Sequence, residues 1–102
     1  MENKKEKEPV PETWQLRLYV AGETARSVAA ISNLRKICEE YLAGHYHLEV
    51  IDVFKVPMLG IEDQVVAIPT LIKRQPQPER RIIGNLSNTE EVLASLDIKR
   101  GT

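Results

Sequence analysis

The sequence predicts an α/β domain with the element order βαβαββα and a mixed four-stranded sheet. Three observations lead to this fold class. A strand, a long helix and a second strand follow one another over residues 14–53, which is the pattern of a βαβ unit with two parallel strands. A proline opens the later β-branched run at residues 67–72, and another short β run follows across a proline-rich loop. A helix start motif then stands at residues 87–90.

Length and charge limit the class of protein. The 102 residues suffice for one domain, which we place at residues 14–98, between a disordered charged tail at 1–13 and a short tail at 99–102. The net charge of −1 provides no general attraction to nucleic acid or to an anionic membrane. No apolar run is long enough to cross a bilayer, and the Lys- and Glu-rich N-terminus does not resemble a secretory signal. We therefore expect a cytoplasmic protein without nucleic-acid or membrane partners.

The first strand is predicted from an alternating pattern. Apolar Leu16, Leu18 and Val20 are separated by Arg17 and Tyr19, as in a strand that buries one of its two faces. The strand should end before the glycine at position 22, because glycine weakens a strand interior.

A long helix and a second strand complete the βαβ unit. Thr24 can accept hydrogen bonds from the first free amides of the helix, and Gly44 is placed to end it. Residues 48–53 are rich in β-branched side chains and predict the second strand. The helix is expected to bury one apolar stripe, with spacings of three and four residues, formed by Val28, Ile31, Leu34, Cys38 and Tyr41 or Leu42.

The second half of the domain is predicted to contain a short helix, a hairpin and a final helix. Pro57 suits the first turn of the short helix. Residues 70–74 and 80–83 flank the proline-rich loop and form an antiparallel hairpin. Ser87 to Glu90 is a capping box for the last helix, which Val92, Leu93 and Leu96 continue. Around the short helix, Met58, Leu59 and Val65 or Val66 are available to pack, whereas Glu62, Asp63 and Gln64 are expected to face water.

The element order, with Pro69 at the start of the third strand, resembles the thioredoxin-like fold, and that resemblance implies a cis Ile68–Pro69 bond. Thioredoxin-like enzymes carry their redox cysteines in the loop after the first strand, here residues 21–27, which contain no cysteine. The single cysteine of the chain, Cys38, falls on the apolar stripe of the first helix. The sequence therefore excludes dithiol redox chemistry and a Cys-x-x-Cys metal site.

Other candidate sites are weak. His45 and His47 would point to opposite faces of a strand, which does not favour a metal site. No glycine-rich phosphate loop is present, so no cofactor is expected. A basic rim at the proline-rich loop is expected to be solvated or to contact protein rather than nucleic acid, and comprises Lys73, Arg74, Arg80 and Arg81. These observations favour an interaction protein over an enzyme.

A closer resemblance follows from several blocks of sequence. Residues 18–24, 33–34, 48–53, 69–73 and 78–87 are similar to the bacterial clock protein family KaiB, and the match extends from Leu16 to Asp97. The family usually has Gly-Asp-Leu-Ser where this chain has Asn85 after the glycine. The resemblance implies a non-enzymatic regulator that binds KaiC, a RecA-like ATPase and autokinase, and that in full clocks sequesters KaiA.

The family resemblance also implies two folds. KaiB proteins interconvert between a tetrameric ground state with the order βαββααβ and a thioredoxin-like monomer that binds the partner. From residue 57 onward the chain mixes β-branched runs with helix formers, so local propensity does not decide between helix and strand there. We therefore name a homotetramer or dimer as the expected ground state, with Pro69 in the region that switches.

The resemblance places the contact with a KaiC-like ATPase at the end of the second strand and on the following helix. The alternative from the residues alone is a redox-inactive thioredoxin-like adaptor that acts on a histidine kinase or stress pathway without KaiC. The expected partner-binding residues are Lys55, Val56, Pro57, Met58, Leu59, Glu62 and Asp63, with Gly84 and Asn85 nearby.

Overall fold

The computed structural model describes residues 13–99. The predicted element order βαβαββα is confirmed. The tails predicted at 1–13 and 99–102 lie outside the described residues except for residues 13 and 99. None of the described helices is long and apolar enough to span a membrane. The elements are β1 (Trp14–Val20), α1 (Ala25–Tyr41), β2 (Tyr46–Asp52), α2 (Pro57–Glu62), β3 (Thr70–Gln75), β4 (Arg80–Ile83) and α3 (Thr89–Leu96).

The four strands form one mixed sheet in the order β2-β1-β3-β4. β1 pairs with β2 in parallel and with β3 in antiparallel fashion, and β3 pairs with β4 in antiparallel fashion. Leu18 at the middle of β1 thus lies opposite Val50 on one side and Leu71 on the other. The first strand in the chain is a central strand, which explains why most of its side chains are buried.

Both faces of the sheet are covered, each by different helices. Alternate residues of β1, among them Leu16 and Leu18, pack with α1 and α3 in the larger core. The opposite face carries a smaller core around Tyr19, Ile51 and Ile72, against which Leu59 of α2 packs. The prediction that β1 buries only one face is therefore wrong, because α2 covers the second face and leaves Tyr19 fully buried.

The apolar stripe predicted for α1 is partly wrong. The predicted N-cap is present, since the Thr24 side chain accepts a hydrogen bond from the Ser27 backbone N–H. Ser27 turns toward the sheet, where its hydroxyl accepts a hydrogen bond from the Ala21 N–H. With Ser27 facing the sheet, the next residue along the helix, Val28, turns away from it and is 52% exposed. The buried residues of α1 are Ser27, Ala30, Leu34, Ile37 and Cys38.

The start of α3 differs from the predicted capping box by one residue. Asn88, not Ser87, is the N-cap, and its side-chain oxygen accepts a hydrogen bond from the Glu91 N–H at 3.1 Å. The Ser87 N–H is already bonded to the side-chain oxygen of Asn85, which closes a turn before the helix. Asparagine and serine are both good N-caps, so the local sequence alone does not decide between the two positions.

The basic rim predicted at the proline-rich loop is wrong for Lys73, which is 1% exposed. β3 directs this side chain toward α3, where its ammonium group donates a hydrogen bond to the Leu96 carbonyl at 3.0 Å. The same ammonium lies 5.0 Å from the centre of the Trp14 ring. Arg80 pairs with Asp97 at 3.2 Å, so this cation also has a partner within the fold.

Candidate docking surface

The residues predicted to contact a partner lie at one edge of the sheet but form two separate groups. β1, β2 and β4 end at this edge and β3 begins there. Residues 55–59, 62 and 63 follow β2, whereas Gly84 and Asn85 follow β4. Two strands stand between β2 and β4, which at about 4.8 Å per strand spacing is a separation of roughly 14 Å.

Gly84 and Asn85 are bonded to other parts of the fold. The Gly84 N–H donates to the Pro69 carbonyl at 3.0 Å. The Asn85 carbonyl accepts a hydrogen bond from the side chain of Asn33 in α1 at 2.8 Å. This turn therefore connects the start of β3 with α1. Pro69 itself is buried, and the Ile68–Pro69 bond is cis.

A contiguous part of the chain around α2 exposes large apolar side chains. Each of these residues is between 42% and 88% exposed. Monomeric proteins rarely leave such a group of side chains together in water unless it serves binding. Lys55 and Glu62 are also exposed and supply charges beside it. We call the group the docking surface, and its members are Phe54, Val56, Met58, Ile61 and Val66.

The sequence predicted only part of this surface. Val56 and Met58 were expected to contact a partner and are exposed, whereas Leu59 packs against the smaller core. Of Val65 and Val66, one of which was expected to pack, Val65 packs against the smaller core and Val66 is 88% exposed. Phe54 and Ile61 were not predicted. The helical spacing from Pro57 could have revealed the difference, because Leu59 and Ile61 lie two residues apart and therefore on different sides of the helix.

An open groove of about 410 Å³ lies beside α2 and is continuous with the docking surface. Gly60 is buried and faces the residue that follows β2, since a Cβ there would be in van der Waals contact with Cγ1 of Val53 at 3.4 Å. We call this depression the α2 groove. Its lining residues are Val53, Phe54, Pro57, Gly60, Ile61, Val65, Val66, Ala67 and Ile68.

The C-terminal end of α2 is held by Asp63, which the sequence predicted to face water. That prediction is wrong, because the side chain is 13% exposed and ion-paired. Its carboxylate accepts hydrogen bonds from Arg17 at 3.0 Å and also from Arg74 and Tyr19. Arg81 donates to the Asp63 carbonyl. Charges on β1, β3 and β4 thus converge on one residue, and its carboxylate is engaged within the fold.

These contacts make stability depend on acid pH. Burial alone raises the pKa of Asp63, but the hydrogen bonds from Arg74, Tyr19 and Arg17 outweigh it and lower the pKa to about 2. A depressed carboxyl pKa contributes stability that is present above the unfolded value and lost as the pH falls toward the folded value. We expect the urea midpoint to fall between about pH 4 and pH 2, and to fall less in Asp63→Asn. An equal acid dependence in both proteins would contradict this assignment.

The cysteine and the histidines show no arrangement suited to chemistry. Cys38 is buried, and burial raises the pKa of its thiol to about 12. A protonated, inaccessible thiol is a poor nucleophile. Within residues 13–99, no three His, Cys, Asp or Glu side chains converge on a possible metal site.

Comparison with known proteins identifies similar sequences over most of the chain. The KaiB domain family matches residues 17–98. The circadian clock oscillator protein KaiB of Thermostichus vulcanus is 52% identical over 90 residues, which cover 88% of this chain and 83% of that protein. The circadian clock protein KaiB3 of a Synechocystis strain is 49% identical over 83 residues, which cover 81% of each chain.

Solved structures show that the fold is thioredoxin-like. The N-terminal domain of Synechococcus elongatus SasA aligns with a TM-score of 0.70 at 21% identity and covers 93% of both chains. Mitochondrial thioredoxin 3 of Saccharomyces cerevisiae aligns with a TM-score of 0.68 at 19% identity, over 85% of this chain and 80% of that one. At these identities the similarity concerns the fold alone.

Proposed function

The chain belongs to the KaiB family of circadian clock proteins, and from this premise we propose that it is a non-enzymatic regulator that binds a KaiC-type ATPase. In this proposal it modulates the phosphorylation or ATPase cycle of that partner from the docking surface. The observation that carries the proposal is the exposure of five large apolar side chains around one short helix.

The composition of the docking surface supports a protein partner. Protein interfaces have an apolar centre with aromatic residues and methionine, surrounded by a polar rim. Phe54, Met58 and Ile61 supply such a centre, each more than half exposed, and the exposed Lys55 and Glu62 supply charges for the rim. The ion pairs at Asp63 hold α2 against the sheet, so the surface is presented on an anchored helix.

A binding role is also favoured by the loop that follows β1. Residues 21–27 occupy the position at which thioredoxins carry their redox cysteines, and here they contain none. The loop is instead organised by hydrogen bonds that involve Thr24, Ser27 and Asp52. Thiol exchange at this position is not open to the chain, because the attacking group must be a thiolate.

Co-elution tests the proposal directly. The purified protein is mixed with a KaiC-type ATPase in the presence of ATP, of ADP and of no nucleotide, and the mixtures are separated by size. We expect the two proteins to elute together in at least one nucleotide state. Separate elution in all three would contradict the proposal and favour an adaptor that acts without KaiC.

Substitutions in the docking surface should weaken this association. We expect Met58→Ala to reduce affinity about five- to thirtyfold, since a truncated interface centre typically costs about 1–2 kcal/mol. Lys55→Glu should also reduce affinity, because it reverses a charge at the rim of the surface. Titration calorimetry measures the affinity, and circular dichroism verifies that each variant keeps the fold. Val28→Ala is the matched control, because Val28 is also exposed but lies on α1, on the other face of the sheet. Equal losses in the control and in the two variants would contradict the assignment of the surface.

A further inference from the structure

We infer that Phe54 is a pre-positioned aromatic wall of the α2 groove, held in place by Asp52 and Gly22, and that the groove receives an apolar side chain of the protein partner. This inference rests on the proposed function, and it adds the chemistry of the occupant and a positioning residue. Neither Phe54 nor Asp52 was among the partner-binding residues predicted from the sequence.

The Phe54 ring is exposed and yet has a defined neighbour. It is 74% exposed, although a side chain of this size is normally buried. On its inner side, a Cβ added to Gly22 would lie 3.5 Å from both Cδ2 and Cε2 of the ring. The ring therefore stands beside the backbone of the loop that follows β1. Gly22 has a φ of +60°, a conformation that favours glycine and leaves no side chain between the loop and the ring.

Asp52 fixes the backbone on both sides of this contact. Its Oδ1 accepts hydrogen bonds from the Phe54 N–H at 2.9 Å and from the Gly22 N–H at 3.1 Å. Its carbonyl accepts from the Lys55 and Val56 N–H groups at 2.9 and 3.0 Å. One residue at the end of β2 thus joins the loop under the ring to the turn that carries the ring. The two backbone hydrogen bonds also lower the pKa of the Asp52 carboxyl.

The lining of the α2 groove determines what can occupy it. All nine lining residues are apolar or glycine. A charged group that entered would lose water without gaining a counter-charge, whereas an apolar group would gain by leaving water. Phe54, Ile61 and Val66 belong both to the groove and to the docking surface. A partner that covers this surface would therefore place a leucine-, methionine- or phenylalanine-like side chain in the groove.

The position of Phe54 can be tested in the free protein by nuclear magnetic resonance. We expect cross-peaks between the Phe54 ring protons and the Gly22 α-protons, together with a ring-current shift of those α-protons. Asp52→Ala should remove both, and Asp52→Asn should restore them, because the amide oxygen can still accept the two hydrogen bonds. Unchanged cross-peaks in Asp52→Ala would overturn the role of Asp52 as a positioning residue.

The occupant is tested by affinity for the KaiC-type ATPase. We expect Phe54→Ala to weaken binding at least tenfold and Asp52→Ala to weaken it about fivefold. Asp52→Asn should bind with nearly the affinity of the unchanged protein. Ala67→Leu fills the groove from within and should weaken binding at least tenfold while the fold, followed by circular dichroism, persists. Wild-type affinity in Ala67→Leu would overturn the occupancy of the groove. Absence of binding by the unchanged protein would contradict the proposed function and with it the occupant, whereas the resonance experiment decides the position of Phe54 independently.

Discussion

Replacement of Asp63 by alanine is expected to lower the free energy of unfolding by about 3 kcal/mol. The substitution leaves Arg17, Arg74 and the Tyr19 hydroxyl without the carboxylate that they share. Removal of one partner of a buried ion pair costs about 3–5 kcal/mol, and the lower end applies here because the Arg74 side chain is 37% exposed and can regain water. Urea unfolding followed by circular dichroism measures the change.

A neighbouring residue provides the control for this prediction. Glu62 is the last residue of α2 and is exposed, so Glu62→Ala should change the free energy of unfolding by less than about 0.5 kcal/mol. Asp63→Asn should fall between the two, since the amide oxygen still accepts hydrogen bonds but carries no charge. If Asp63→Ala is no more destabilising than Glu62→Ala, the ion pairs do not hold α2 in solution.

The second large effect is expected at Lys73. Lys73→Ala should lower the free energy of unfolding by about 2–4 kcal/mol, because it empties a buried volume and leaves the Leu96 carbonyl without its donor. Lys73→Met keeps most of the side-chain volume and removes only the ammonium group, so we expect about half that loss. Urea unfolding measures both variants.

The single tryptophan reports on the same contact. The Lys73 ammonium lies 5.0 Å from the centre of the Trp14 ring, within the range of a cation–π interaction. We expect both Lys73→Ala and Lys73→Met to change the fluorescence emission of native Trp14, because both remove the charge. Lys55→Met is the control, since Lys55 is an exposed lysine in the turn after β2 and its replacement leaves Lys73 and its partners in place. A change in the control alone would contradict the assignment.

The sequence predicted the elements well because local rules act within a few residues. The Thr24 cap, the proline at the first turn of α2 and the β-branched run at β3 each depend on near neighbours, and each element is present. The same locality explains the shift of the α3 cap from Ser87 to Asn88, because two adjacent residues could serve. The second, tetrameric fold that the family resemblance implies is not decided by these rules and stays a prediction.

The docking surface was predicted in part. The family resemblance directed attention to the end of β2 and to α2, where Val56 and Met58 are exposed. Phe54 and Val66 lie in the segments that flank the helix, and neither segment has a periodic pattern from which exposure could be predicted. Gly84 and Asn85 follow β4 and share the sheet edge with the end of β2, but two strands stand between β2 and β4, which becomes apparent only from the strand order.

The sequence by itself determined the order of the elements, the absence of a cysteine pair and the family, whereas the central position of the first strand came from the strand order. Only the tertiary structure decided which polar side chains are buried. Tyr19, Asp63 and Lys73 each occur in a local pattern that predicts exposure or a half-polar face. Tyr19 and Lys73 are buried and Asp63 is largely buried, because a partner arrives from elsewhere in the chain. Asp63 meets Arg17 from 46 residues away, and Lys73 meets the Leu96 carbonyl from 23 residues away. Burial of a charge is tolerated only where such a partner satisfies it, and that pairing depends on how the sheet and helices are assembled rather than on neighbouring residues.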